Sequence, residues 1–128
     1  DNYTNGYPGG NSKAYVAYLF ASCPGVSKVG TYDGDSDSTI PVDCGFTSGA
    51  RFVLIKRTDD TGSWLLFDST RGIGSGNDPY LKLDSTAAEL TSYDRLDANT
   101  SGFTVKANAD AGGDLNIDGG TYIYLAIA

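Results

Sequence analysis

The sequence contains no histidine and no methionine, one tryptophan, and glutamate only at Glu89. Without histidine, a serine or cysteine nucleophile lacks its usual general base, and zinc lacks one of its main ligands. Of the strong helix formers Met is absent and Glu occurs once, whereas Gly occurs 17 times beside many Ser, Thr, Asp and Asn residues. Such a composition favours turns over helices. We therefore predict an all-β chain that is not an enzyme.

Basic residues are also few, since 9 Lys and Arg stand against 16 Asp and Glu and give a net charge of −7. Nucleic-acid binding needs clustered basic side chains, and here they are scattered along the chain. No stretch approaches the roughly 20 apolar residues of a membrane span. We expect no nucleic-acid partner and no membrane insertion, and an acidic β domain of this kind suits an extracellular setting.

Cysteine occurs only at Cys23 and Cys44, outside any CxxC motif. A disulfide between them would close a loop and stabilise the fold by roughly 3 kcal/mol in the chain-entropy model. Two buried free thiols are the alternative, because the sequence does not reveal the redox compartment. The sequence is compatible with both the disulfide and the two free thiols.

Apolar runs rich in aromatic and β-branched residues, separated by turn formers, predict short strands. We expect a lead-in segment at 1–11, followed by a single antiparallel β-sandwich domain at 12–128, of which the jelly roll is one form. Thr86-Ala87-Ala88-Glu89 resembles a capping box and allows at most one helical turn. The chain begins at Asp1 and lacks Met, so we expect a fragment or a processed form. The predicted strands cover residues 14–21, 26–32, 52–57, 64–68, 80–83, 102–107 and 121–128.

Two features of these strands lead to further predictions. Residues 121–128 echo residues 14–21, which indicates two sister strands that bracket the domain, either as sandwich core or as a unit built to be repeated or oligomerised. The runs 52–57 and 64–68 flank a polar segment and predict a hairpin. Because both runs are almost wholly apolar, we expect burial on both faces, with Trp64 in the core.

Two acidic clusters raise the question of calcium, a cation that prefers oxygen ligands. Asp33, Asp35 and Asp37 alternate as at the start of an EF-hand loop, but Ser38 stands where that loop requires Gly, so the motif fails. The second cluster lies in a Gly-rich segment and comprises Asp110, Asp114, Asn116 and Asp118. Carboxylates in turns ordinarily cap backbone groups. We predict no cofactor and keep Asp33, Asp35, Asp37, Asp110 and Asp114 as the calcium candidates.

The glycine-rich segment 71–79 neither opens a helix nor follows a βαβ pattern, which argues against nucleotide binding. Polar, glycine-rich loops can vary without cost to a core, so we interpret this loop as a binding surface. Aromatic rings stack on sugar faces, and two tyrosines flank the loops at 33–38 and 72–78. The predicted ligand contacts are Tyr32, Arg71, Asn77 and Tyr80.

Residues 45–58 (GFTSGARFVLIKRT) resemble an uncharacterised β-rich domain of tail-fibre-like proteins of marine and proteobacterial bacteriophages. The resemblance continues through residues 62–64, 67–68, 71–73, 77–79, 101–105 and 121–128, and so covers nearly the whole chain. It implies a virion structural domain with no catalytic residues, located on a virion surface appendage and extracellular when mature. It also implies a homo-oligomer, a trimer in a threefold fibre, with other virion proteins and a host cell-surface glycan as partners.

Two further functions fit the same composition. One is a stand-alone carbohydrate-binding module, assisted by calcium at the acidic clusters. The other is an extracellular filament or surface-layer subunit, which would share the fold and the repeated terminal run.

Overall fold

The computed structural model describes residues 16–74, 76–107 and 115–128. These residues form eight β-strands and no helix, and accordingly this part of the chain offers no helix suited to crossing a membrane. The strands are β1 (Ser27–Asp33), β2 (Ile40–Asp43), β3 (Phe52–Arg57), β4 (Leu65–Asp68), β5 (Tyr80–Lys82), β6 (Leu96–Asn99), β7 (Gly102–Val105) and β8 (Thr121–Ile127). The predicted lead-in segment at 1–11 lies outside the described residues.

The strands form two antiparallel sheets that pack face to face. One sheet has five strands in the order β1-β8-β3-β4-β5, and the other has three in the order β2-β7-β6. The pairs β1–β8 and β2–β7 are nested as in a jelly roll, whereas β3, β4 and β5 follow one another within the first sheet. The predicted all-β sandwich is thus confirmed.

The core lies between the sheets and is rich in aromatic rings. Phe103 of the smaller sheet meets Tyr124 of the larger one edge to face, with ring centroids 5.3 Å apart. Tyr32 stacks on Tyr122 at 4.9 Å, within the larger sheet. Burying such side chains stabilises a fold by about 1.5–3 kcal/mol each, and ring contacts add to that.

The predicted hairpin is confirmed, because β3 and β4 pair antiparallel with Val53 opposite Phe67 and Ile55 opposite Leu65. These four side chains are fully buried in the core. Their neighbours Leu54 and Leu66 point to the other side of the sheet and are only half-buried. Full burial on both faces was therefore a wrong prediction, since only one face of this sheet contacts the second sheet.

Trp64 is 38% exposed, so its predicted place in the core is also wrong. It directly precedes β4 and stands two positions before Leu66. Because side chains alternate along an extended chain, Trp64 shares the side of Leu66 rather than that of Leu65.

The strand predicted at 14–21 is not formed at residues 16–21, while residues 14 and 15 lie outside the described residues. The strands that pair with β8 are β1 and β3. The similarity between 14–21 and 121–128 therefore does not mark two paired strands. The strand predicted at 121–128 is confirmed as β8, which lies between β1 and β3.

Strands β2 and β6 were not predicted from the sequence. Each has only four residues, and they contain Pro41, Asp43, Asp97 and Asn99, residue types that are uncommon in strands. The capping-box segment at 86–89 forms no helical turn. Instead, the Ala87 N–H donates to Ser85 Oγ at 3.1 Å.

The two cysteines are free thiols, so the disulfide alternative is not realised. The alternative of two buried free thiols is correct for Cys44, which lies just after β2, and wrong for Cys23, which is exposed at the turn before β1. Burial raises the pKa of the Cys44 thiol. Burial and the neighbouring Cys44 together raise the pKa of Tyr124 to about 12. Both groups therefore remain uncharged near neutral pH.

We expect Phe67→Ala to lower the free energy of unfolding by about 3–5 kcal/mol, because it leaves a cavity between the sheets. Urea denaturation followed by circular dichroism measures this change. The matched control is Val26→Ala, at a side chain that is 55% exposed, where a change within about 0.5 kcal/mol is expected. Equal effects at the two positions would contradict the packing described above.

Candidate binding surface

The side of the five-stranded sheet that faces away from the three-stranded sheet carries a row of apolar side chains, and we call this side the outer face. Val29 lies opposite Leu125, and Leu125 lies opposite Leu54. Leu54 in turn pairs with Leu66, and Leu66 with Leu81. Cross-strand partners point to the same face, so this row runs without a break across all five strands.

A second apolar row lies beside the first. It contains Ile123, Trp64 and Leu83, all of them exposed, with Leu83 at 53%. The Leu83 N–H donates to the Trp64 carbonyl at 2.9 Å, which continues the β4–β5 pairing by one step. Single exposed apolar residues are common on proteins, but a contiguous patch marks an interaction surface.

The segment 16–22 passes over part of the outer face. It is held beside β1 by Ser22, whose Oγ accepts the Val29 N–H at 3.0 Å, and by Ser27, whose hydroxyl donates to the Ala21 carbonyl at 2.9 Å. The segment and the sheet enclose an open groove of about 370 Å³. Its lining residues are Tyr18, Phe20, Val29, Leu54, Trp64, Ile123, Tyr124 and Leu125.

Lys56 is a charged residue within the outer face, and other charged groups lie at its margin. Lys56 stands opposite Ile123, and its Nζ donates to the Arg57 carbonyl at 2.9 Å. At the end of β4, the Asp68 carboxylate pairs with Arg71 at 2.8 Å. At the end of β3, Arg57 forms an ion pair with Asp59 at 2.6 Å. The hydrogen bonds that Asp59 accepts from Arg57 and from the Thr121 N–H lower the pKa of Asp59. The centre of the face therefore offers apolar packing and aromatic stacking.

Tyr32 and Tyr80 do not supply an exposed stacking surface, and that prediction is wrong. Tyr32 is 8% exposed, and its hydroxyl donates to the Leu115 carbonyl at 2.7 Å. Tyr80 is 1% exposed and stacks on Phe67. Both tyrosines occupy strand positions whose side chains point between the sheets.

A buried arginine also contacts Tyr80. The guanidinium of Arg95 lies 4.8 Å from the ring centroid of Tyr80 and 4.8 Å from that of Tyr93. Arginine prefers such aromatic faces because its charge is delocalised and weakly hydrated. The sequence carried no signal for this arrangement, since Arg95 and Tyr80 are brought together only by the fold.

Of the four predicted contact residues, Arg71 and Asn77 are accessible. Arg71 is half-buried and engaged with Asp68, and it also approaches Glu89 at 3.5 Å. Asn77 is exposed in the loop between β4 and β5. Neither residue lines the groove on the outer face. The structure therefore does not bring the four candidates together.

The loop that contains Asn77 is anchored by its neighbour Asp78, contrary to the expectation that it varies without cost to the core. Asp78 is fully buried, and its carboxylate accepts the N–H groups of Gly74, Arg95 and Leu96 at 3.1, 2.8 and 2.9 Å. Burial raises the pKa of Asp78, while these donors act in the opposite direction. Asp78 thus joins the loop to the start of β6.

The calcium candidates do not form a site in the described residues. Asp35 accepts the Asp37 N–H at 3.1 Å, and its own N–H donates to Asn116 Oδ1 at 2.8 Å, so this segment is a hydrogen-bonded turn. The part of the chain that the structure describes has no group of three or more side chains able to hold a metal. Asp110 and Asp114 lie outside it.

We expect Asp78→Ala to destabilise the fold by about 1–3 kcal/mol for each buried N–H left without an acceptor. Asn77→Ala is the matched control, because its side chain is exposed on the same loop, and a change within about 0.5 kcal/mol is expected. Thermal and urea unfolding of both variants measure the difference. A stable Asp78→Ala variant would show that the loop is not anchored through this carboxylate.

No curated protein and no solved structure gives a significant match to the chain. One family model matches residues 3–128, nearly the full length. The chain therefore belongs to the family described as a domain of unknown function, DUF7483.

Proposed function

We propose that this chain is a non-enzymatic structural domain of a bacteriophage tail fibre or a similar virion appendage, in which copies associate as a homotrimer. The observation that carries the proposal is the contiguous apolar outer face on a chain of net charge −7. The assignment to a phage appendage is supported by the resemblance of residues 45–58 and 121–128 to tail-fibre-like proteins. Other virion proteins are the proposed neighbours.

Association follows from the energetics of the outer face. Apolar surface removed from water contributes roughly 25 cal/mol per Å². In an isolated copy, the second row and the segment 16–20 leave such surface in water. Closed cyclic symmetry lets identical copies bury it without forming open filaments.

Attachment to a host surface is the second part of the proposal. The loop between β4 and β5 presents Asn77 to solvent, and the half-buried Arg71 lies at the base of this loop. Amide and guanidinium groups of this kind hydrogen-bond the hydroxyls and carboxylates of glycans. The loop is positioned by Asp78, which would hold these groups in a fixed geometry.

The trimer is tested by the mass of the chain in native buffer. We expect light scattering after gel filtration, and native mass spectrometry, to give three times the 13.4 kDa of one chain. The mass should hold at high salt, because the outer face is apolar and screening has little effect on such contacts. A monomer at every concentration up to the solubility limit would overturn the proposed assembly.

A carbohydrate-binding module is the second candidate, favoured by the exposure of two aromatic side chains in one groove. Trp64 and Tyr18 both line the groove, and Tyr18 is 81% exposed. Aromatic faces in an open groove are suited to stacking on sugar rings. A filament or surface-layer subunit would use the same face, and the genes that flank the coding sequence distinguish it from a phage protein.

Glycan binding is tested with an array probed by the wild-type chain and by Trp64→Ala. If the groove binds sugars, we expect Trp64→Ala to abolish the signal and to remain folded, because Trp64 is 38% exposed and lies outside the core. Asn77→Ala tests the loop in the same assay. Absence of glycan binding by the wild-type chain, with and without chelator, would remove this candidate.

A further inference from the structure

We infer that a cleft at one end of the sandwich binds the carboxylate of an acidic sugar, with Arg51 as the side chain that pairs with it. We call it the end cleft. It lies where the residues just before β3 and just after β4 meet the turn between β6 and β7, so both sheets contribute to it. It shares no residue with the groove on the outer face. The inference goes beyond the proposed function, because it concerns a different surface and does not depend on association between copies.

The end cleft is small and mixed in character. It encloses about 250 Å³, which is slightly less than the roughly 300–1,000 Å³ of pockets for drug-sized ligands. Its lining includes Ser48, Arg51, Ser69, Ile73, Ala98 and Thr100. The cleft therefore offers one small ring a cation, several hydroxyl groups and a few apolar atoms.

Backbone hydrogen bonds fix the shape of the end cleft. The Gly49 N–H donates to the Thr100 carbonyl at 2.8 Å, and the Ser69 N–H donates to the Arg51 carbonyl at 2.8 Å. Gly49 has a φ of +81°, and a Cβ at this position would lie 2.8 Å from the Asn99 carbonyl oxygen, so glycine permits the close approach. A cleft that is formed before the ligand arrives loses little entropy on binding.

Arg51 supplies the positive charge of the end cleft. Arg57 and Arg71 each pair with an aspartate, whereas within the described residues Arg51 forms no ion pair. No residue that lines the cleft is acidic, and Asp68, which precedes Ser69, is engaged with Arg71 at 2.8 Å. Acidic groups farther than about 8 Å away are largely screened at physiological salt. The planar guanidinium of Arg51 is therefore available to hold a carboxylate through two parallel hydrogen bonds.

The hydroxyl groups of the end cleft favour a sugar as the carrier of this carboxylate. In the part of the chain that the structure describes, the hydroxyls of Ser48, Ser69 and Thr100 form no hydrogen bond to another protein group. Each of them can both donate and accept, which complements the hydroxyls of a sugar ring. Ile73 and Ala98 offer apolar contacts to the C–H groups of the same ring. One guanidinium balances one carboxylate, so the ligand that fits is a sugar with a single acidic group.

The experiment titrates the isotopically labelled chain with glucuronate and with N-acetylneuraminate, and two-dimensional NMR follows the backbone amides. The two arms distinguish a uronic acid from a sialic acid as the ligand. We expect the amide signals of Gly49, Ser69 and Thr100 to shift with a dissociation constant on the order of 1 mM. The signals of Trp64 in the groove and of Asn77 in the loop should not shift. Glucose lacks the carboxylate and acetate lacks the ring, so each should bind about 10-fold more weakly or less well still.

Variants assign the binding to Arg51. Arg51→Gln removes the charge from an exposed side chain and should raise the dissociation constant of the bound acid by about 10-fold or more. Arg51→Lys keeps the charge but not the planar pair of donors, so an intermediate value is expected. Lys56→Gln is the matched control, because it removes an equal charge outside the end cleft and should bind as the wild type does. Circular dichroism confirms that each variant is folded.

The outcomes separate this inference from the proposed function. Saturable shifts at the end cleft that are lost in Arg51→Gln and kept in Lys56→Gln support the inference. It is overturned if neither acid binds, if acetate or glucose binds as tightly as the acids, if Arg51→Gln binds as the wild type does, or if the shifts are confined to Trp64 or Asn77. The mass of the assembly is measured separately, so a failure of the end cleft leaves the proposed assembly in place, and a monomeric chain leaves the end cleft in place.

Discussion

The pairing of β8 with two neighbours is the interaction on which the structure depends. Six of its residues pair with β3 while all seven pair with β1, so the last strand of the chain joins the first to the middle of the sequence. Tyr122, Tyr124 and Ala126 enter the core from one side of β8, whereas Ile123 and Leu125 point to the outer face. Removing this strand would separate the larger sheet into β1 and the β3–β5 hairpins, because no other strand bridges them.

The outer face is a consequence of the same strand pattern. A sheet whose strands are apolar at successive positions has two apolar sides and needs a covering layer on each. The three-stranded sheet covers one side, and the segment 16–22 covers only part of the other. Of two adjacent residues in one of these strands, one is therefore buried between the sheets and the next lies on the outer face. This pattern is the physical basis of the proposed role of the outer face in association.

Predictions from the sequence succeeded where local pattern decides the outcome. The runs at 26–32, 52–57, 64–68, 80–83, 102–107 and 121–128 correspond to strands, because alternating or continuous apolar residues bounded by turn formers specify extended chain locally. The segment 16–21 has the same character yet forms no strand, since a strand requires a partner with free backbone groups in register. β2 and β6 show the converse, because each is short and weakly apolar and is formed by pairing with β7.

Composition and neighbouring residues were enough to specify the all-β class, the β3–β4 hairpin and the acidic, histidine-free surface chemistry. Which side of each strand is buried depended instead on the packing of the two sheets. It placed Tyr32 and Tyr80 inside, left Trp64 on the surface, and used Asp78 to join a loop to β6. These outcomes depend on contacts between residues far apart in the chain. A tyrosine beside a loop and a tryptophan beside a strand have the same local signature whether they face a second sheet or water.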